Sequence, residues 1–338
     1  MKNFMDVVLK KDIMKYLNEV DKKSLLIYSP TSAKKINLLE KIDNKNLILL
    51  DTHVTDIDID KINNYLKNDI EIESVIGFGG GTAIDIAKYI GNKMNIEIVA
   101  IPSMLSTNVY STDKVLMSKD NIVSTLDSKL PDLIIYDENV LKLSLIENLY
   151  GFADVLTIYT ASKDWYLSYN SGFDKFDEEL YKMDLELLNE TMEYILSHTY
   201  EEIKNNLFEM FNFIGRVGLI TNLYGSGRPV SGSEHIFAKA LEQRILVPHG
   251  ISVALGILIM SLFQNNFSND IEKCFEKLKI FDFASKYKVT KKLVKKNLEE
   301  LKPREARYTI VNTFNKKNIE INNRIEQILD KFNIDEGE

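Results

Sequence analysis

The stretch that most restricts how this chain can fold is Ser74-Val-Ile-Gly-Phe-Gly79-Gly80-Gly81-Thr82-Ala83-Ile-Asp85-Ile-Ala-Lys88. An apolar β-branched run passes into three consecutive glycines and then into residues with helical spacing. Glycine lets the backbone approach a ligand closely, and the free amides of a helix N-terminus face an anion there. A strand–glycine turn–helix of this kind belongs to an open α/β sheet and suits a pyrophosphate. It is not the G-x-G-x-x-G fingerprint after a first strand, so the standard Rossmann pattern is absent.

The neighbouring sequence repeats that alternation. Strands are predicted at Ser24–Ser29, Asn46–Leu50, Ser74–Phe78, Ile96–Ile101 and Asp132–Tyr136, and helices at Ser32–Ile42, Ile57–Leu66 and Thr82–Asn92. The alternation indicates a parallel α/β domain. Polar breaks at Ser29-Pro30-Thr31 and Asp51-Thr52-His53 fall just after strands, where such sheets place ligands. Asp51 could take a ribose hydroxyl, and His53 is read as a surface residue. After the strand Ile96–Ile101 comes Pro102-Ser103-Met-Leu-Ser106-Thr107-Asn108-Val-Tyr-Ser111-Thr112-Asp113-Lys114, a loop offering many neutral hydrogen bonds or simply a solvated turn.

From about Leu141 the texture changes. Apolar residues recur at spacings of three and four over Glu178–Leu196, Ile203–Leu223, Ile251–Phe263, Ile271–Lys279, Leu293–Leu301 and Ile319–Phe332. The expected architecture is therefore an α/β nucleotide-binding domain, 1–141, followed by an all-α metal- and substrate-binding domain, 142–338. An active site in the cleft between them is the expected geometry.

Two of only four histidines lie in Ser226-Gly-Arg228-Pro-Val-Ser-Gly-Ser-Glu-His235 and Pro248-His249-Gly250, each leading into an apolar helical run. Residues 14 apart on one helix would sit roughly 21 Å apart at about 1.5 Å per residue. Two helices with converging N-termini are needed to bring both imidazoles to one ion. Asp154, in Gly151-Phe-Ala-Asp154-Val-Leu, is a third candidate, because an acid facing apolar neighbours is costly to bury without a cation. One carboxylate and two imidazoles leave a fourth metal position open for catalysis on an alcohol or carbonyl oxygen. The structural alternatives are a capping His235, a His249 packed under Pro248, and an Asp154 favoured by the helix dipole. His198 is read as a helix C-cap.

Composition narrows the class. The chain has 338 residues, 45% apolar and 27% charged, with a net charge of −8 and one cysteine. Two cores are expected at this length, nucleic-acid binding is disfavoured, and a disulfide framework is excluded. The N-terminal residues lack a secretory pattern, and the longest apolar run, Ile251–Phe263, cannot span a bilayer. A cytoplasmic location follows as an expectation.

Together, Gly79-Gly80-Gly81-Thr-Ala-Ile-Asp85, the Pro102-Ser103 loop, Gly151-Phe-Ala-Asp154 with Lys163-Asp164-Trp165, Gly227-Arg228-Pro-x-Ser-Gly-Ser-Glu234-His235 and His249-Gly250 resemble the sn-glycerol-1-phosphate dehydrogenases. That family belongs to the iron-containing alcohol dehydrogenase and dehydroquinate synthase-like superfamily. The resemblance runs in order from about Ser74 to Gly256. It implies a Rossmann-like sheet domain plus a helical domain, NAD or NADP, and a divalent metal, usually zinc, with iron or nickel as alternatives. It places dinucleotide contacts on Gly79, Gly80, Gly81, Thr82, Ala83, Ser103, Ser106 and Thr112, the last where the family usually has serine. It places metal ligation and catalysis on Asp154, His235 and His249.

Two substrate positions depart from the family pattern: Asn108 stands for an aspartate and Lys239 for a histidine. The first change removes a charge, and the second replaces a proton-shuttling ring by a long cation. The expected activity is an NAD(P)-linked, metal-dependent interconversion of a small polyol or polyol phosphate and its ketone, within phospholipid metabolism if the family's substrate is retained. Arg228 and Lys239 are the cations expected at an anionic group of a phosphorylated substrate, and self-association is left open. The alternative is a dehydroquinate synthase-type cyclase, a carbon–oxygen lyase using NAD transiently. Such a cyclase needs more cations than Lys114, Lys163, Arg228 and Lys239 supply.

Overall fold

The computed structural model describes residues 4–52, 71–119, 122–282, 284–305 and 307–337. His53 and the expected helix Ile57–Leu66 lie outside the described residues. Two compact units are present, Met1–Asn148 with Leu207–Asn222, and Leu149–Asn206 with Leu223–Glu338.

In the first unit the strands are β1 (Val8–Lys10), β2 (Ser24–Tyr28), β3 (Leu47–Asp51), β4 (Ser74–Gly79), β5 (Glu97–Pro102), β6 (Lys114–Lys119), β7 (Ile122–Asp127) and β8 (Leu133–Tyr136). Six form a parallel sheet in the order β1-β8-β5-β4-β2-β3, and β6 and β7 form a separate antiparallel pair. The strands read as continuous apolar runs because both faces are covered. Leu25, Ile27, Val75 and Ile98 pack on one face against Ile86, Ala87 and Ile90 of the helix Gly81–Met94. Their neighbours Leu26, Ile76, Phe78, Val99 and Ile101 pack on the other face against Ile13, Leu17 and Ala33. Cutting Ile76 back to alanine in such a layer would cost about 2–5 kcal/mol.

The chain runs from β2 outward to β3 and then returns to β4 on the opposite side of β2. Strand order therefore reverses at the carboxyl ends of β2 and β4, the position at which open α/β sheets take ligands. The glycine turn sits there.

Several expected elements are corrected. The expected helix Ser32–Ile42 is two pieces, Pro30–Ile36 and Leu38–Lys41, because Asn37 takes a left-handed conformation at φ 53°. The expected helix Ile203–Leu223 divides into Tyr200–Asn205 and Leu207–Tyr224. Residues 207–222 belong to the first unit and not with the later helices. Phe211 stacks on Tyr110 with ring centroids 4.6 Å apart, and the Tyr110 hydroxyl donates to the Phe211 carbonyl at 2.7 Å. Strands β1, β6 and β7 were not anticipated.

The second unit is helical. Its principal elements are Gly151–Leu156, Ile158–Asn170, Glu178–Ser197, Ser233–Glu242, His249–Phe263, Asn269–Leu278, Lys291–Glu300 and Ile319–Lys331. Trp165 is fully buried among Phe176, Tyr181 and Tyr224, and its indole N–H donates to the Lys175 carbonyl. His198 is the C-cap of Glu178–Ser197, its Nδ1 lying 2.8 Å from the Tyr194 carbonyl. Among the described residues no helix is long and apolar enough to cross a membrane.

Candidate active site

Asp154, His235 and His249 converge. Each offers one ligand atom, and the three atoms lie within 4.8 Å of one another. Nε2 of His249 is 3.4 Å, and Nε2 of His235 is 3.9 Å, from Asp154 Oδ1. Three short-range decisions in the chain produce this. His235 sits in the first turn of Ser233–Glu242, and His249 is the first residue of the next helix, entered through Pro248. Proline before the helix and glycine after His249 fix the approach. Any side chain at Gly250 would collide with the backbone of Tyr150, so this glycine lets the His249 helix close on the helix that carries Asp154.

Both rings are turned by a second carboxylate. His235 Nδ1 lies 2.9 Å from Glu234 Oε1, and His249 Nδ1 lies 2.7 Å from Glu242 Oε1. A carboxylate only accepts, so each Nδ1 carries a proton and each Nε2 is turned toward Asp154. Glu234 is fully buried and also accepts from Thr160 Oγ1 and the Gly232 amide. Burial pushes its carboxyl up, but the His235 hydrogen bond and charge, with those other donors, outweigh it and hold the carboxyl below the usual range. For His249, burial works against the charged ring, yet the Asp154 and Glu242 carboxylates push it up to about 10.

Asp154 Oδ1 is buried and has no hydrogen-bond partner, the nearest imidazole nitrogen, Nε2 of His249, lying 3.4 Å away. A buried anionic oxygen without a donor is expensive unless a cation takes its place among the partners. That orphaned oxygen and the two oriented imidazoles fit a divalent ion with one carboxylate and two nitrogen ligands. Glu242 is the functional residue that sequence reasoning missed. Its only signal was its position at the end of the His235 helix, seven residues before His249.

The glycine turn is built differently. Gly79 has φ 153°, and a Cβ there would fall 2.8 Å from Ser29 Cβ, so the chain crossing from β4 to the helix requires glycine. Cβ atoms at Gly80 and Gly81 would meet nothing closer than Met104 at 3.8 Å and Thr107 at 3.7 Å. Packing does not explain those two glycines, whereas space for a ligand beside the backbone does. Thr82 is exposed at the helix start and Ala83 is buried.

In the loop after β5, Ser103 donates its amide to the Gly79 carbonyl and shares a 2.8 Å hydroxyl contact with Ser32. Thr112 is buried, its hydroxyl 3.1 Å from Asn222 Oδ1. Ser106 and Asn108 are half-buried. Behind the turn, Asp85 and Lys88 are buried together. Burial pushes the Asp85 carboxyl up and the Lys88 ammonium down, each partly offset by the other's charge. Lys88 Nζ donates to the carbonyls of Val109 and Lys114, fastening the loop to the helix.

Arg228 is corrected from a substrate cation to a bracing residue. It is 3% exposed, pairs with Asp174 at 2.6 Å, and donates to the carbonyls of Asp164 and Tyr308. Lys114 is paired with Asp113 and Asp127, and Lys163 is exposed. Lys239, one helical turn beyond His235, is half-buried.

The fold is shared with solved structures of glycerol dehydrogenases and of an iron-containing alcohol dehydrogenase. A family profile described as iron-containing alcohol dehydrogenase matches residues 11–144. Glycerol dehydrogenase from Schizosaccharomyces pombe superposes with a TM-score of 0.64 at 15% identity, over 91% of this chain and 84% of that one. An iron-containing alcohol dehydrogenase superposes at 0.59 and 16% identity, over 96% and 97%. In sequence, the chain is similar to the glycerol-1-phosphate dehydrogenases. It is 30% identical over 203 residues to glycerol-1-phosphate dehydrogenase [NAD(P)+] of Methanococcus aeolicus, an alignment spanning 58% of each chain. It is 24% identical over 304 residues to the Methanosphaera stadtmanae enzyme of that name, spanning 87% of this chain and 86% of that one.

Proposed function

We propose that this chain is a metal-dependent, NAD(P)-linked dehydrogenase that interconverts a small polyol, or polyol phosphate, with its ketone. The observation that carries the reading is the orphaned Asp154 Oδ1 facing two imidazoles whose other nitrogens are tied to carboxylates. Asp154, His235 and His249 would hold the divalent ion, with zinc the proposed metal, and Gly79–Ala83 with Ser103, Ser106 and Thr112 would seat the dinucleotide. When bound, the ion supplies Lewis acidity at an alcohol or carbonyl oxygen, and the nicotinamide exchanges a hydride with the adjacent carbon.

The chain's own part is preorganisation. Glu234 and Glu242 keep the Nδ1 protons in place, so neither ring has to change tautomer or turn when a ligand arrives. Thr160, Gly232 and Ser252 hold those two carboxylates in turn. Asn108 offers the substrate neutral hydrogen bonds, and Lys239 adds positive charge one turn beyond His235. The proposed location is the cytoplasm.

The test is anaerobic purification with metal analysis, followed by NADH and NADPH oxidation with dihydroxyacetone phosphate and dihydroxyacetone. About one ion per chain and steady net oxidation are expected. Metal-stripped protein that turns over at the original rate, or a reaction with no net change in the nicotinamide, would remove the proposal.

A further inference from the structure

Asp164 is a fully buried carboxylate in the middle of the helix Ile158–Asn170, one residue before the core tryptophan Trp165. Its two oxygens serve two separate segments of the chain. Oδ2 accepts the Ser233 amide and Oδ1 the Ile310 amide, each at 2.7 Å. Ser233 opens the helix that carries His235, and Ile310 opens the short turn Ile310–Asn312. One carboxylate therefore stands at the start of two elements, where free amides and the helix dipole favour negative charge.

The His235 helix depends on this because it has no cap of its own. An N-cap residue ordinarily supplies an acceptor from a Ser, Thr, Asp or Asn side chain. Here that residue is Gly232, which has none to offer. A Cβ at Gly232 would fall 2.6 Å from Asp164 Oδ2, 3.0 Å from Ala161 Cα and 3.0 Å from Glu234 Oε2. The glycine gives up a local cap so that a carboxylate from another helix can reach the Ser233 amide.

Three contacts tie that other helix to the segment leading into His235. The Thr157 hydroxyl donates to the Val230 carbonyl at 2.7 Å, the Thr160 hydroxyl donates to Glu234 at 2.7 Å, and Asp164 takes the Ser233 amide. Residues spaced by three and four share one helix face. Thr157 keeps right-handed helical angles between Gly151–Leu156 and Ile158–Asn170, so the run that bears Asp154 also bears all three contacts. Thr160 holds the carboxylate that turns the His235 ring, and Asp164 holds the backbone two residues ahead of it. Arg228 secures Asp164 in turn by donating to its carbonyl at 2.6 Å.

We propose that Asp164 is a positioning residue of the metal site: by capping the His235 helix from outside, it sets the height at which that imidazole meets Asp154. This rests on the metal-site reading above and deepens it. Ring direction and ring height are then controlled separately, the first through Glu234 and the second through Ser233.

The test follows the ring itself as well as the ion. The full chain, stripped of metal, carries histidine labelled with the heavy nitrogen isotope, which gives four rings to observe by NMR, and the His235 signals are those lost in His235→Ala. In Asp164→Asn the amide can accept from only one of the two main-chain N–H groups. The His235 Nδ1–H signal is expected to shift, while that of His198, at the C-cap of Glu178–Ser197 in the same unit, keeps its parent position. In competition with a chromogenic chelator, zinc affinity is expected to fall about tenfold. Gly232→Ala, which drives a methyl against Oδ2 with Asp164 in place, is expected to move the same His235 signal and decides the matter if Asp164→Asn does not fold. An unchanged His235 signal with unchanged zinc affinity overturns the proposal. So does a His198 signal that moves along with it, because the substitution then loosens the helical unit as a whole. If the parent chain binds no zinc, the metal-site reading fails, and the metal-free spectra alone decide whether Asp164 places the His235 ring.

Discussion

The glycine turn of the first unit and the carboxylate–imidazole cluster of the second are both candidate ligand sites, but they are made from different parts. At Gly79–Gly81 the site is backbone, and side chains matter by being missing. At Asp154, His235 and His249 the site is side chain, and each ring is aimed by a further carboxylate. A backbone site is damaged by added atoms, and a side-chain site by removed ones. The contrast orders the expected effects.

The largest should come from deleting a ligand. His249→Ala or Asp154→Ala is expected to lose stoichiometric metal and to lower kcat/KM at least about a hundredfold. Full activity with metal absent would break the contrast at its root. Next, Glu242→Gln keeps the ring's neighbour in place but weakens its hold on Nδ1, and metal affinity should fall about 10- to 100-fold. Competition with a chromogenic chelator reads this directly. An unchanged affinity would mean that the His249 helix alone sets the ring.

In the first unit, Gly79→Ala drives a methyl into Ser29 and is expected to cost about 1–3 kcal/mol in denaturant unfolding. Gly80→Ala should leave stability within about 1 kcal/mol while weakening NADH binding, because its Cβ meets only Met104 at 3.8 Å. Equal destabilisation by both would mean that all three glycines serve packing alone.

The smallest effect concerns pH. Burial first, and repulsion from Glu234 second, push the Asp164 carboxyl up to about 6. The unfolded value is near 3.9, so folding favours the protonated acid. The stability this gives is complete below about pH 3.9 and is lost as pH rises through 6. The midpoint difference between the parent chain and Asp164→Asn should therefore shrink from pH 4 to 6 and stay flat above 6.5. A difference that does not change over that range would assign Asp164 an ordinary carboxyl.

How much of this was legible follows from the same contrast. The parallel sheet, its glycine turn and the triad were readable, because near-continuous apolar strands, glycine runs and scarce histidines are local signals. What was missed depends on partners far away in sequence. β6 was overlooked although Val115 and Met117 alternate inward around exposed Leu116, since six residues following a polar loop carry little pattern. Helical spacing could not reveal that Leu207–Asn222 packs with the first unit, because that choice is made by Tyr110 and Phe4 meeting Phe211. Arg228 was misjudged because an arginine beside a histidine motif looks the same in sequence whether it faces a ligand or a half-buried aspartate. Asn37 and Asn206 ended helices where apolar periodicity continued.

Lys88 gives the sheet-bearing unit a constraint on its own redesign. Its ammonium is capped by main-chain carbonyls at Val109 and Lys114, in the middle and at the end of the serine- and threonine-rich loop. Grafting that loop from a relative to alter specificity would leave a buried charge stranded unless the incoming backbone offers the same two oxygens. Loop and lysine have to be exchanged as one cassette, with Asp85 included.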